Sequence, residues 1–222
     1  MTFPLIRHLS KPVTGVLARL PVSANQITAV SLLFGVACAW AMSMGDRAWD
    51  VIGGGFLMIA YVLDNCDGEI ARLKNQCSQF GMRFDSFVDW AVHTAFFAAL
   101  GMGVTASTGE DMWLWLGWIA AAGGTINYMV GFIVEARDRR VAAREGLTTK
   151  TGHEAPGETR RPETLYDWII YGLRELSRAD FCFIVLALAL FDVTWVLLPT
   201  GAIGAQVYWI LQFSKGAQDY HV

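Results

Sequence analysis

Four aspartates in two pairs, Asp64/Asp67 and Asp85/Asp89, stand between long apolar runs in the stretch DNCDGEIARLKNQCSQFGMRFDSFVD. Asp64, Asp67, Gly68, Ala71 and Arg72 fall at i, i+3, i+4, i+7 and i+8 and share one helical face, while Gly81, Asp85 and Asp89 recur every fourth residue on a second helix. A short connector around Asn75 to Gln79 predicts that these helices are antiparallel neighbours, with all four carboxylates converging. Two like charges about 4 Å apart repel by roughly 4 kcal/mol at an effective dielectric of 20. An aspartate in a membrane helix costs about 2.5–3.5 kcal/mol more. Either some of the four are protonated or divalent cations neutralise them. Hard oxygen ligands without His or Cys favour magnesium, manganese or calcium over zinc. Four shared carboxylates suit two metals about 3.5–4 Å apart, which hold a phosphate during an in-line displacement.

The elements that must position these residues are membrane helices. The chain is 54% hydrophobic, with a mean hydropathy of +0.38, too apolar for an ordinary soluble domain of 222 residues. At about 20 apolar residues per crossing, the spans are expected at Ala24 to Met44, Trp49 to Leu73, Phe80 to Val104, Met112 to Ala136, Asp180 to Val196 and Leu197 to Phe213. Ser23 or Asn25 would cap the first. Turns fall at Gly45 to Ala48 and Ala106 to Asp111, and Asp192 is the one polar mark between the last two spans. The fold expected is therefore an all-α integral membrane protein of six transmembrane helices, forming a single domain over residues 1–222. Residues 1–22 read as an amphipathic, basic interfacial segment rather than a cleaved signal. Residues 138–179 read as a polar loop followed by an interfacial helix over Glu163 to Arg178. Cys38, Cys66, Cys77 and Cys182 have neither metal-type nor disulfide-framework spacing.

With six spans, every Lys and Arg except Arg47 falls on the side of the N-terminus, although the formal net charge is −3. The positive-inside rule then puts both termini and the aspartate hairpin in the cytoplasm, in an inner membrane or its equivalent. Asp64 lies about 12 Å deeper than Arg72 along its helix, at 1.5 Å per residue. Asp89 lies a similar distance beyond Gly81. A soluble nucleotide can reach that rim while a lipid tail stays in the bilayer; nothing in the chain suggests a nucleic-acid partner.

The pattern D-x2-D-G-x2-A-R-x8-G-x3-D-x3-D is met at every fixed position, by Asp64, Asp67, Gly68, Ala71, Arg72, Gly81, Asp85 and Asp89. It closely resembles the signature of the CDP-alcohol phosphatidyltransferases, over a helical core from about Ser23 to Phe213. The resemblance implies transfer of a phospho-alcohol group from a CDP-linked donor to an acceptor hydroxyl, with release of CMP, in a homodimer using Mg2+ or Mn2+ (two ions). It assigns Asp64, Asp67, Asp85 and Asp89 to metal, with Asp85 and Asp89 catalytic and Asp89 the general base. It gives Gly68, Ala71, Arg72 and Gly81 to the donor, and Asn25 and Thr28 match the family's Asn-x-x-Thr element.

Each assignment has a plainer counterpart. Gly68, Ala71 and Gly81 also suit helix packing, Arg72 suits a snorkelling arginine, and Asn25 and Thr28 suit helix capping. His93 continues the face of Asp85 and Asp89 and suits a packed or supporting histidine better than a ligand. CDP-diacylglycerol is the expected donor, with a CDP-linked polar alcohol as the alternative. The acceptor is a polar alcohol, and Arg137 and Arg178 would grip it if it carries a phosphate. A separate class, a divalent-cation transporter, would also use intramembrane carboxylates. Against it, all four flank one hairpin and no path continues to the other side.

Overall fold

The computed structural model describes residues 5–144 and 180–213, and among these every regular element is helical. A short first helix α1 (Ile6–Leu17) precedes α2 (Ala24–Met42), α3 (Arg47–Leu73), α4 (Gln79–Thr108) and α5 (Met112–Arg144). Then come α6 (Phe181–Leu190), a single 3-10 turn at Thr194–Val196, and α7 (Leu197–Phe213).

Local chemistry marks the ends of these helices. Ser23 and Gln26 form a reciprocal capping box at the start of α2. Asp46 caps α3 by accepting from the amide of Ala48, and Ser78 caps α4 by accepting from the amide of Gly81. Gly109 closes α4 at a left-handed φ of 76°. In the α3–α4 connector Asn75 holds φ 55°, a conformation its short polar side chain tolerates better than most.

Three of these helices are long and apolar enough to cross a membrane: Ala24–Met42, Gln79–Thr108 and the Met112–Ile133 part of α5. Leu33, Val36 and Trp40 on α2 are more than half exposed on its outer surface, as lipid-facing side chains would be. The expected fifth span is corrected. Its helix stops at Leu190, and ten residues rise only about 15 Å. Asp192 at φ 60° turns the chain before α7 begins at Leu197. The expected loop from residue 138 is shortened as well, because α5 remains helical to Arg144. The predicted interfacial helix from Glu163 to Arg178 lies outside the described residues.

α2 is the central element, packing against both α3 and α4, while α5 joins α4 to α7 and α6 joins α3. α3 and α4 are antiparallel, but each packs on α2 rather than closely on the other. Leu57, Tyr61, Val88, Val92, Phe96, Cys182 and Leu198 meet in the main core. Lipid tails are as apolar as leucine, so association here rests on close fit rather than on exclusion of water. The α4–α5 contact illustrates it: a Cβ on Gly117 would lie 2.6 Å from the Phe97 carbonyl oxygen and 3.0 Å from the Cα of Gly101. At the turn before α3, Gly45 has φ 66° and touches the backbone of Gly103, so no larger residue fits.

α1 lies along α3. It buries Ile6, Ser10 and Thr14 and leaves Leu9 and Val16 exposed. Its outer face carries these apolar residues beside Arg7, His8 and Lys11, a mixture suited to a lipid boundary. Both ends are fastened: the Asp180 carboxylate accepts from the amides of Leu5 and Ile6, each at 3.0 Å. Lys74 Nζ donates to the carbonyls of Leu20 and Val22 just beyond the other end, each at 2.8 Å.

Candidate active site

α3 and α4 diverge enough to leave room between their facing carboxylates. Asp64 and Asp67 on α3 and Asp85 on α4 each offer an oxygen, and the three oxygens lie within 4.8 Å of one another. Asp67 is only 5% exposed and accepts a short hydrogen bond from the Thr28 hydroxyl on α2. Because α2 packs on both other helices, this bond lets the central helix fix the angle of one carboxylate. Asp89 stands outside the group of three. It is exposed one turn beyond Asp85 and lines a small cavity together with Asp64.

Beneath the group, Tyr61, Asp64, Asp89, His93 and Ser31 line a cavity of about 10 Å3, about the size that holds one water. His93 Nδ1 lies 2.8 Å from the Asp89 backbone carbonyl, and its Nε2 lies 2.7 Å from the Tyr61 hydroxyl. A carbonyl can only accept, so Nδ1 carries the proton and Nε2 accepts from Tyr61. Both ring nitrogens are thereby engaged, which makes His93 a support of the α4 backbone at Asp89 and not a ligand. Sequence reasoning passed over Tyr61. Its position three residues before Asp64, on the same face, was the available signal.

The residues expected on the donor side divide. At Gly68 a Cβ would meet nothing except the guanidinium of Arg72, 3.6 Å away, so Gly68 is bare and Arg72 folds back toward it. At Gly81 a Cβ would lie 3.2 Å from both Asn25 Oδ1 and Ser78 Oγ, which brings Asn25 against the start of α4. Ala71, by contrast, packs beside Ile27, Cys66 and Ile70. Capping does not account for Asn25 or Thr28, since Ser23 does that work. Gln76 Oε1 accepts from the Ala24 amide at 2.9 Å and ties the connector to α2. Arg137 is exposed near the end of α5, and Arg178 lies outside the described residues.

One buried and two partly buried carboxylates with no sulfur or imidazole among them make a donor set that fits a hard divalent cation. The site is therefore of the acidic, cation-assisted kind, held on membrane helices. Residues 21–205 match the CDP-alcohol phosphatidyltransferase family, and the chain belongs to that family. The family is described as one of transferases, which weighs against the transporter reading.

Among curated proteins, the chain is 34% identical over 98 residues to a bifunctional IPC transferase and DIPP synthase of Aquifex aeolicus, covering 44% of this chain and 21% of that protein. It is 28% identical over 132 residues to the protein of the same name from Thermococcus kodakarensis, covering 58% of this chain and 28% of that one. The matches thus span less than a third of those relatives' lengths.

Proposed function

We propose that this enzyme transfers a phosphatidyl group from CDP-diacylglycerol to the hydroxyl of a polar acceptor alcohol and releases CMP. The observation that carries this is the carboxylate group of Asp64, Asp67 and Asp85, on membrane helices and one to two turns from the bare backbone at Gly68 and the guanidinium of Arg72. Asp64, Asp67 and Asp85, with Asp89 beside them, would hold Mg2+ or Mn2+. Bound there, such cations screen the phosphates and stabilise charge developing on the leaving CMP. Arg72 binds the donor pyrophosphate, and Gly68 and Gly81 give its nucleotide room, flanked by Asn25. Thr28 orients Asp67. The acceptor oxygen attacks the phosphorus that bears the lipid alcohol, and the bond from that phosphorus to the CMP oxygen breaks. Asp89, exposed and next to the group, takes the hydroxyl proton. A phosphorylated acceptor is held by Arg137 and Arg178. The working unit is a homodimer whose termini and site face the cytoplasm.

A second reading has support of its own. The relatives' names speak of an IPC transferase and a DIPP synthase and mention no phosphatidyl product, which favours a CDP-linked polar alcohol as donor. One assay separates the two: CMP release by the purified protein with CDP-diacylglycerol or with CDP-linked polar alcohols, each against a panel of acceptors with and without phosphate. Release only with the polar donors would replace the first reading by the second. Release with neither would overturn both.

A further inference from the structure

The hydrogen bond from the Tyr61 hydroxyl to His93 Nε2, 2.7 Å long, joins the two helices that carry the carboxylates. Those helices otherwise do little to hold each other, since α3 and α4 each pack on α2. Tyr61 stands three residues before Asp64 and His93 four residues after Asp89. At 1.5 Å per residue the bond lies about 4.5 Å beneath Asp64 and about 6 Å beneath Asp89. Both partners are fixed in place. Tyr61 is 9% exposed and packs in the main core with Val88 and Val92 of α4. The imidazole has the rings of Tyr61 and Phe181 beside it, with centroids 5.9 and 6.0 Å away. Its Nδ1 donates to the Asp89 carbonyl at 2.8 Å. A ring tied to α3 at one nitrogen therefore holds, at the other, the turn of α4 that presents Asp89. The cavity shared by Tyr61, His93, Asp64 and Asp89 is only about 10 Å3, so there is little slack between the bond and the carboxylates above it.

Like charges on α3 and α4 push the two helices apart, and a bond placed just beneath them opposes that push. The carboxylates are then gathered before a cation arrives, and preorganisation of this kind adds affinity. A fixed gap also discriminates. Magnesium demands near-ideal octahedral geometry with short bonds, whereas calcium takes six to eight oxygens at longer distances in flexible arrangements. Manganese shares the octahedral oxygen preference. A bond that merely satisfied two buried polar groups would affect stability when removed, but not the choice of cation.

We propose that Tyr61 and His93 are positioning residues, a strut between α3 and α4 that sets the spacing of the carboxylates and makes the site favour a small octahedral cation over calcium. The inference rests on the reading that Asp64, Asp67 and Asp85 hold Mg2+ or Mn2+. The test is Mn2+ binding to the purified full chain in detergent, read from the loss of the free-ion EPR signal, with Ca2+ titrated as competitor. Tyr61→Phe, which keeps the ring and removes the hydroxyl, should raise the Kd for Mn2+ about tenfold. The preference for Mn2+ over Ca2+ should shrink by about threefold or more. His93→Leu removes the acceptor instead, should reproduce both effects, and decides the matter if Tyr61→Phe fails to insert. His93→Gln, which can offer a side-chain oxygen to the Tyr61 hydroxyl, should stay within about threefold of the unaltered protein. The double variant of Tyr61→Phe and His93→Leu should bind no worse than either alone, because one bond is lost in all three. Asp67→Asn separates the strut from the reading beneath it. If the unaltered chain binds Mn2+ and Asp67→Asn does not, an unchanged cation preference in Tyr61→Phe and His93→Leu, whatever happens to Tm, overturns the strut alone. No Mn2+ binding, or binding untouched by Asp67→Asn, overturns the metal reading and the strut with it.

Discussion

Two aspartates near opposite ends of α3 are secured in the same way and surrounded differently. Asp67 takes the hydroxyl of Thr28 from α2, and Asp50 takes the hydroxyl of Thr194 from the 3-10 turn. Both carboxylates are more than nine-tenths buried. Asp67 has two further carboxylates within 4.8 Å, whereas Asp50 lines an open cavity with Asp46 and Asp192 and forms no such close group. A buried Asp–Thr bond is therefore not a mark of catalysis in this fold. What distinguishes the other end is the convergence of several negative groups, which a cation or protonation must reconcile.

That contrast can be broken most sharply at the carboxylates. Asp67→Asn and Asp85→Asn should each cut CMP release by more than about 100-fold, since even changes around the outside of a metal site cost 10–100-fold. Excess chelator should do the same to the unaltered protein. Activity near the wild-type level in either variant would make the group of three no more than a structural feature, like Asp50. Next in size is Thr28→Val. If the hydroxyl aims Asp67 at a cation, turnover should fall about 10–100-fold, and the concentration of Mn2+ needed for half activity should rise. A variant with unchanged metal dependence would show that the bond is only a fastening.

Thr194→Val is the matched change at the other end. It strands a buried carboxylate oxygen and should lower stability by about 1–3 kcal/mol, read as a drop in Tm, with activity per folded molecule within about twofold. A large loss of turnover would mean that the two ends are coupled. The smallest effect is expected at Gly68→Ala. A methyl there meets only the Arg72 side chain, so the helix should gain about 0.5–1 kcal/mol. The KM for the donor should rise if a nucleotide lies on that bare backbone. A higher Tm with an unaltered KM would assign the glycine to neither packing nor binding.

Much of the reactive end could be read from residue spacing. The i, i+3 and i, i+4 intervals put Asp64, Asp67 and Asp85 on facing surfaces, and Ser23 as a cap marked the start of α2. The role of Thr28 could not be read that way, because its bond to Asp67 joins residues 39 positions apart through the packing of α2 on α3. Asp89 was placed with the group by its spacing and by the motif it completes. A helix advances about 6 Å in four residues, and only the angle between α3 and α4 decides whether that turn still reaches the others. The early end of α6 was hidden by composition, since Phe191–Ile203 is apolar and the break rests on the backbone of Asp192. Asp50 escaped notice because an acidic residue in the first turn of a helix is ordinary. Its bond to Thr194 joins residues 144 positions apart, which no local pattern records.

The fastening of α1 also bears on how the chain is made. The amides of Leu5 and Ile6 are satisfied by a carboxylate about 175 residues later in the chain. At a synthesis rate of about 5–20 residues per second, roughly 10–35 s pass between the appearance of those donors and the appearance of Asp180. During that interval the first helix can lie on the membrane but cannot be locked, and the closing of the N-terminal seam must come late in biogenesis. Nascent chains halted before residue 180 should therefore expose α1 to protease, and chains released after it should not.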